Sequence, residues 1–242
     1  MAALGDSITV ASASCGYQAV CAENSWATGT DSAVHSHRQR LEQAEGFAVT
    51  GYDDAVPGAH AADLATQVQQ ALTQKPDYVT VLVGANDLCA TATAAMTATA
   101  TYQQAVTSAV ETLQAALPRV RIYLASVPDP TKLYALLRHD PRAGQVWAYT
   151  GACQSVLGTP GVAGDADRAQ VHARGVAYND ALGQVCLHHQ RVYCDGQVVF
   201  QMKPTVEDVS SLDYFHPSRQ GQRAIADATW TPGLEEMLAS GN

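Results

Sequence analysis

The chain is poor in positive charge. Lys and Arg number 14 against 23 Asp and Glu, a formal net charge of −9 over 242 residues. A surface of that sign excludes a nucleic-acid partner, whose phosphates need neutralising, and anchoring to an anionic membrane through basic residues. No apolar run approaches the ~20 residues that span a bilayer, so no integral membrane segment is expected. "MAALGDS" has neither the basic start nor the long apolar stretch of a signal peptide. A chain that opens so shortly before a Gly-Asp-Ser triplet is read as a trimmed mature form to which an initiator Met has been added. Its cysteines form no CxxC pair and no Cys/His cluster of zinc-like spacing, which argues against a metal centre. Internal repeats and convincing linkers are missing too.

What remains is the composition of an ordered globular protein, 47% hydrophobic and 15% charged. Its length suits one large core, so a single domain over 1–242 is expected. Cys15, Cys21, Cys89, Cys153, Cys186 and Cys194 form an even set that permits many pairings. Two close pairs, Cys15/Cys21 and Cys186/Cys194, can each close a small loop, which leaves Cys89 with Cys153. Disulfides of that number point to an oxidising, extracellular setting, with six buried thiols in a cytosolic enzyme as the alternative.

The triplet at 5–7 follows a short apolar opening. It reads as a surface turn or as a nucleophile raised on a strand-to-loop corner, and alone it does not decide. Segments 46–52 (GFAVTGY), 77–84 (DYVTVLVG) and 120–126 (VRIYLAS) read as strands, the second a β-branched run of the kind buried on both faces. Helices fit between them over 34–44 and 61–74, and from Tyr102, where Val106, Val110, Leu113 and Leu117 recur at helical spacing until Pro118. Further helices are expected at 131–137, 142–157, 166–189 and 218–228. The alternation predicts an α/β protein of three layers, α/β/α, with a flavodoxin-like parallel sheet of about five strands flanked by helices. Such sheets bind ligands beyond the carboxyl ends of their strands. Ser7, Gly58, Asn86 and Asp129 each follow a strand or its loop, and so gather at one edge.

Three further blocks matter. Gly58, in "AVPGAHAADL", is explained on its own by a turn that needs glycine. Asn86, in "LVGANDL", is on its own a turn or cap residue. In "LDYFHPS", Asp213 stands three residues before His216, close enough on a loop for the carboxylate to reach the imidazole Nδ1–H, although a solvated loop accounts for the string as well. Pro217 biases His216 away from helical geometry and suits the opening of the next helix.

In this order the blocks resemble the SGNH hydrolases, the GDSL esterase/lipase family. The match is carried by "GDSI" at 5–8, "GAND" at 84–87 and "DYFHP" at 213–217, with Gly58 as the second-block glycine, and it spans nearly the whole chain. The resemblance is closest to secreted bacterial members with three disulfides, which supports the pairings above and a secreted, extracellular location. It implies catalysis by Ser7, His216 and Asp213, without cofactor or metal. A serine hydroxyl needs a neighbouring base; His216 is that base and later the acid for the leaving alcohol, while Asp213 holds the imidazole tautomer. The resemblance also implies an oxyanion hole built from the backbone N–H groups of Ser7 and Gly58 and the side-chain amide of Asn86. Asp6 is expected to be a structural residue of the corner.

No G-x-S-x-G elbow occurs. His35 and His37 are placed in a polar helix, His188 and His189 near a helix end, and His60 on the surface although close to Gly58. The segment 128–164 is longer than a crossover needs and reads as an insertion near the active site. It carries Leu133, Tyr134, Leu136, Leu137, Trp147, Tyr149 and Val156, which either wall an acyl pocket or pack the insertion on the core. The expected protein is thus a monomeric serine hydrolase of carboxylic esters, esterase or lipase in type, acting on a small-molecule, lipid or carbohydrate ester. An acyltransferase, a phospholipase or a carbohydrate deacetylase on the same site, and a non-catalytic binding module, are the competing readings.

Overall fold

The structure, a computed structural model, describes residues 1–239. Strands β1 (Ala2–Gly5), β2 (Tyr52–Asp53), β3 (Tyr78–Leu82), β4 (Arg121–Leu124) and β5 (Val192–Cys194) form one sheet in the order β2-β1-β3-β4-β5. Every pairing is parallel. The helices are α1 (His37–Glu45), α2 (Leu64–Gln74), α3 (Ala85–Leu88), α4 (Thr99–Ala116), α5 (Pro130–Leu137), α6 (Pro141–Thr150), α7 (Gln154–Leu157), α8 (Asp165–His188), α9 (Val198–Gln201), α10 (Arg219–Thr229) and α11 (Pro232–Ala239).

Alternation along the strands sorts the core into two layers. Ala2, Leu4, Val79, Val81, Ile122 and Leu124 join one cluster, completed by residues of α2, α4 and α8 such as Val68, Val106 and Val185. Ala3, Tyr78, Leu82 and Tyr123 join the other, with Leu41 of α1, Ile225 of α10 and Leu234 of α11. Buried on both faces, these strands read as continuous apolar runs. Local signals start the helices: Asp129 and Asp140 cap α5 and α6, each with proline in the first turn, and Ser218 caps α10.

Three expectations need correcting. Of the run 46–52 only Tyr52 belongs to a strand, because pairing begins at Ala2↔Tyr52 and the preceding residues lie beyond the register of β1. The helix expected at 142–157 is two, since Gly151 closes α6 in the left-handed region at φ 67° and Cys153 follows at φ 42°. His37 lies at the start of α1 but is fully buried, its Nδ1 2.9 Å from the Tyr78 hydroxyl and its Nε2 2.8 Å from Thr229 Oγ1. Burial pushes its pKa down to about 3, helped by the Arg40 charge. Disulfides join Cys15–Cys21, Cys89–Cys153 and Cys186–Cys194. Among the described residues no helix is long and apolar enough to cross a membrane.

Candidate active site

The site stands at the carboxyl end of β1, the strand flanked by β2 and β3 where the winding of the sheet reverses. Gly5 ends the strand at φ 148°, and a Cβ there would stand 2.2 Å from the Leu82 carbonyl oxygen, so no other residue fits. Gln67 of α2 grips its backbone from the side, accepting the Gly5 N–H at 2.8 Å and donating to the Gly5 carbonyl at 2.8 Å. Asp6 turns into the core, where its Oδ1 accepts the Ile8 N–H at 2.9 Å and its Oδ2 has no partner. Burial pushes its carboxyl up to about 7 against the pull of that N–H. Ser7 follows, nearly buried.

The imidazole arrives from the far end of the chain. Val209 bridges Pro217, and Ser210 donates to the Ala13 carbonyl at 2.7 Å, tying the 209–217 loop to the segment after Ser7. Asp213 organises this loop. One carboxylate oxygen accepts the backbone N–H groups of Phe215 and His216, both at 3.0 Å, and the other lies 2.7 Å from His216 Nδ1. With Nδ1–H directed at the carboxylate, Nε2 is left as an acceptor, 2.9 Å from Ser7 Oγ. An imidazole held in this tautomer can take the serine proton.

Asn86 lines the same cavity as Ser7 and His216. Asn86, on the short α3 after β3, donates through Nδ2 to the Ala59 carbonyl at 2.9 Å, which fixes its amide beside the loop of Gly58. The same loop is tied to the corner by the Val56 N–H, 3.1 Å from the Gly5 carbonyl. Gly58 is exposed at φ 82°. Among the described residues neither the Ser7 N–H nor the Gly58 N–H makes a hydrogen bond. His60 is exposed, and its Nδ1 lies 3.7 Å from buried Asp87.

Comparison with known proteins gives the family. Residues 3–224 match the GDSL-like Lipase/Acylhydrolase family. The chain belongs to that family. It is 26% identical over 210 residues to human membrane-associated phospholipase B1, covering 76% of this chain but only 14% of that protein's length. Among solved structures it resembles TesA, with a TM-score of 0.59 at 19% identity over 98% of both chains. It also resembles a family 3 carbohydrate esterase of Clostridium thermocellum, with a TM-score of 0.59 at 14% identity over 99% of this chain and 97% of that one.

In this GDSL-family protein a mostly apolar cavity of about 140 Å³ opens on Ser7, Asn86 and His216. Pro128, Pro130 and Leu133, from the start of the 128–164 segment, form part of its wall. Leu137, Trp147 and Val156 do not line it; they are buried in the core with Tyr134, and Tyr149 is exposed to solvent. Val199, Met202, Pro204 and Val209 form a further part of its wall. Sequence reasoning missed that wall, and it missed Gln67. The apolar string "QVVFQM" was the available signal for the wall; a helical glutamine gives none.

Proposed function

We propose that this GDSL hydrolase cleaves carboxylic esters through an acyl-enzyme on Ser7. His216 Nε2 takes the Ser7 proton as Oγ attacks the ester carbonyl, then delivers it to the departing alcohol. Water attacks the acyl-enzyme with His216 again as base, which releases the carboxylic acid and restores Ser7. Asp213 keeps the imidazole in the required tautomer and stabilises the imidazolium. The N–H groups of Ser7 and Gly58 and the Asn86 amide receive the oxyanion, to which Asn86 can offer the amide hydrogen not engaged by Ala59.

The observation that carries the reading is the unbroken chain Asp213–His216–Ser7, at 2.7 and 2.9 Å. The apolar cavity supports a substrate with an alkanoyl group, and its volume is close to that of cavities that hold benzene. Family membership supports the hydrolase class, and three disulfides support action outside the cell. We assign 128–164 as an insertion within one hydrolase domain.

A fluorophosphonate probe followed by peptide mapping tests the assignment. It should label Ser7, and Ser7→Ala should lose both label and ester hydrolysis. Label on another residue, or hydrolysis surviving in Ser7→Ala, overturns it.

A further inference from the structure

The 128–164 insertion reaches the reacting groups from behind, through α6. Trp147, buried in the core, donates its indole Nε1–H to the Tyr214 carbonyl at 3.0 Å. Arg142, five residues earlier on the same helix, lies over the Tyr214 ring at 5.8 Å from its centroid. Tyr214 stands between Asp213 and His216, and its backbone is left-handed at φ 54°. A bulky aromatic residue adopts that conformation only when its surroundings compel it.

The need for that conformation is local. The Phe215 and His216 N–H groups both converge on one Asp213 oxygen while the other oxygen meets the His216 ring. The turn at Tyr214 is what brings those donors round to a carboxylate two and three residues earlier. Were Tyr214 to relax toward an ordinary backbone region, the bonds to Asp213 would loosen and Nε2 would lose its aim at Ser7.

We propose that α6 is a clamp on the Asp213–His216 loop, with Trp147 as a positioning residue for His216 and Arg142 as a lesser one. Trp147 touches no reacting atom; it acts through Tyr214. This rests on Ser7 and His216 acting as described above. Trp147 is placed to fix the loop from its carbonyl side and Arg142 from its ring side. The insertion thereby acts as a brace for the imidazole in addition to its contribution to the pocket wall.

Trp147→Phe keeps an aromatic ring in the core and deletes the indole donor, together with the part of the indole that Phe lacks. It should lower kcat for a soluble p-nitrophenyl ester about tenfold, equivalent to about 1.4 kcal/mol in the barrier, with KM within about twofold. Labelling of Ser7 by the fluorophosphonate should slow by the same factor, and the Nδ1–H proton resonance of His216 should broaden. Adding Tyr214→Asn, a residue that accepts the left-handed region, should return at least a third of the lost rate. Mere packing by Trp147 predicts instead a lower Tm with kcat per folded molecule unchanged, and that result overturns the clamp. If Trp147→Phe does not fold, Arg142→Gln on the exposed face of α6 decides: a twofold to threefold fall in kcat at unchanged Tm supports the clamp, and no change refutes it. Wild-type protein that fails to label at Ser7 refutes the hydrolase assignment itself, whereas normal labelling in both wild type and Trp147→Phe refutes the clamp alone.

Discussion

Gln67 places both ends of its carboxamide on Gly5, and Gly5 sets the direction of Ser7. Replacing Gln67 by Leu leaves the buried Gly5 N–H unpaired, at about 1–3 kcal/mol, while the Gly5 carbonyl keeps the Val56 N–H. Thermal unfolding should report a marked fall in Tm, with Gln67→Glu intermediate because it keeps the acceptor and loses the donor. Asn86 belongs to the same scale but to the chemistry. Asn86→Ala should reduce kcat by about 10²–10³ with little change in KM, as loss of an oxyanion donor does. Leu133 and Met202 both line the cavity. In a p-nitrophenyl ester series, Met202→Trp should lower kcat/KM for acyl chains of roughly six carbons more than for acetate, since a cavity of this size has little volume to give up. Ser7, Asn86, Asp213 and His216 were legible through the resemblance of their blocks, taken in order, to the family; alone, only the Asp213–His216 pair has a telling spacing. Gln67 was not, because a glutamine on a helix reads as solvated surface, and only the approach of α2 to β1 gives it a task.

At the scale of elements, long periodic stretches declared themselves and short ones did not. The helix from Tyr102 has five buried residues at helical spacing, and it stands as α4. β5, three residues long, has no period to detect and owes its pairing to Ile122, Tyr123 and Leu124 of β4. The wall formed by α9 and the loop after it was missed because α9 is only four residues long, its apolar string too short to show a period. The division of 142–157 into two helices turns on Gly151, which closes α6 in the left-handed region, and Cys153 just beyond it meets Cys89 across a sequence separation of 64. Loop length also ranks the three disulfides. With separations of 6, 64 and 8 residues, chain entropy assigns about 4 kcal/mol to Cys89–Cys153 and about 2 kcal/mol to each of the others. Paired Cys→Ala variants, melted side by side, should show the largest loss for Cys89/Cys153. Equal losses for all three would mean that native packing and not loop closure sets their value.

For the whole molecule, three buried groups set the direction in which stability moves with pH. Burial pushes the carboxyls of Asp6 and Asp53 up to about 7 from 3.8, and it pushes the His37 ring down to about 3 from 6.5. Between about pH 4 and 6.5 the folded chain therefore holds protons on both aspartates that the unfolded chain has released. Over the same window the unfolded chain carries a proton on the His37 ring that the folded chain excludes. The aspartates make stability fall as pH rises, and His37 opposes them with one proton against two, so the folded state binds one proton more. The protein should lose roughly 1.4 kcal/mol per pH unit across this window from these groups, and Asp54, also raised by burial, adds to the fall. Asp6→Asn keeps the acceptor for the Ile8 N–H and removes one of the retained protons, which brings the balance near zero. Tm should then be higher at pH 5 than at pH 8 for the wild type, and nearly flat from pH 5 to about 6.5 for Asp6→Asn. A wild-type Tm as flat as that of Asp6→Asn from pH 5 to about 6.5 would mean that Asp6 ionises within the fold, giving the nucleophile corner a buried negative charge beside His216 in place of a neutral acid.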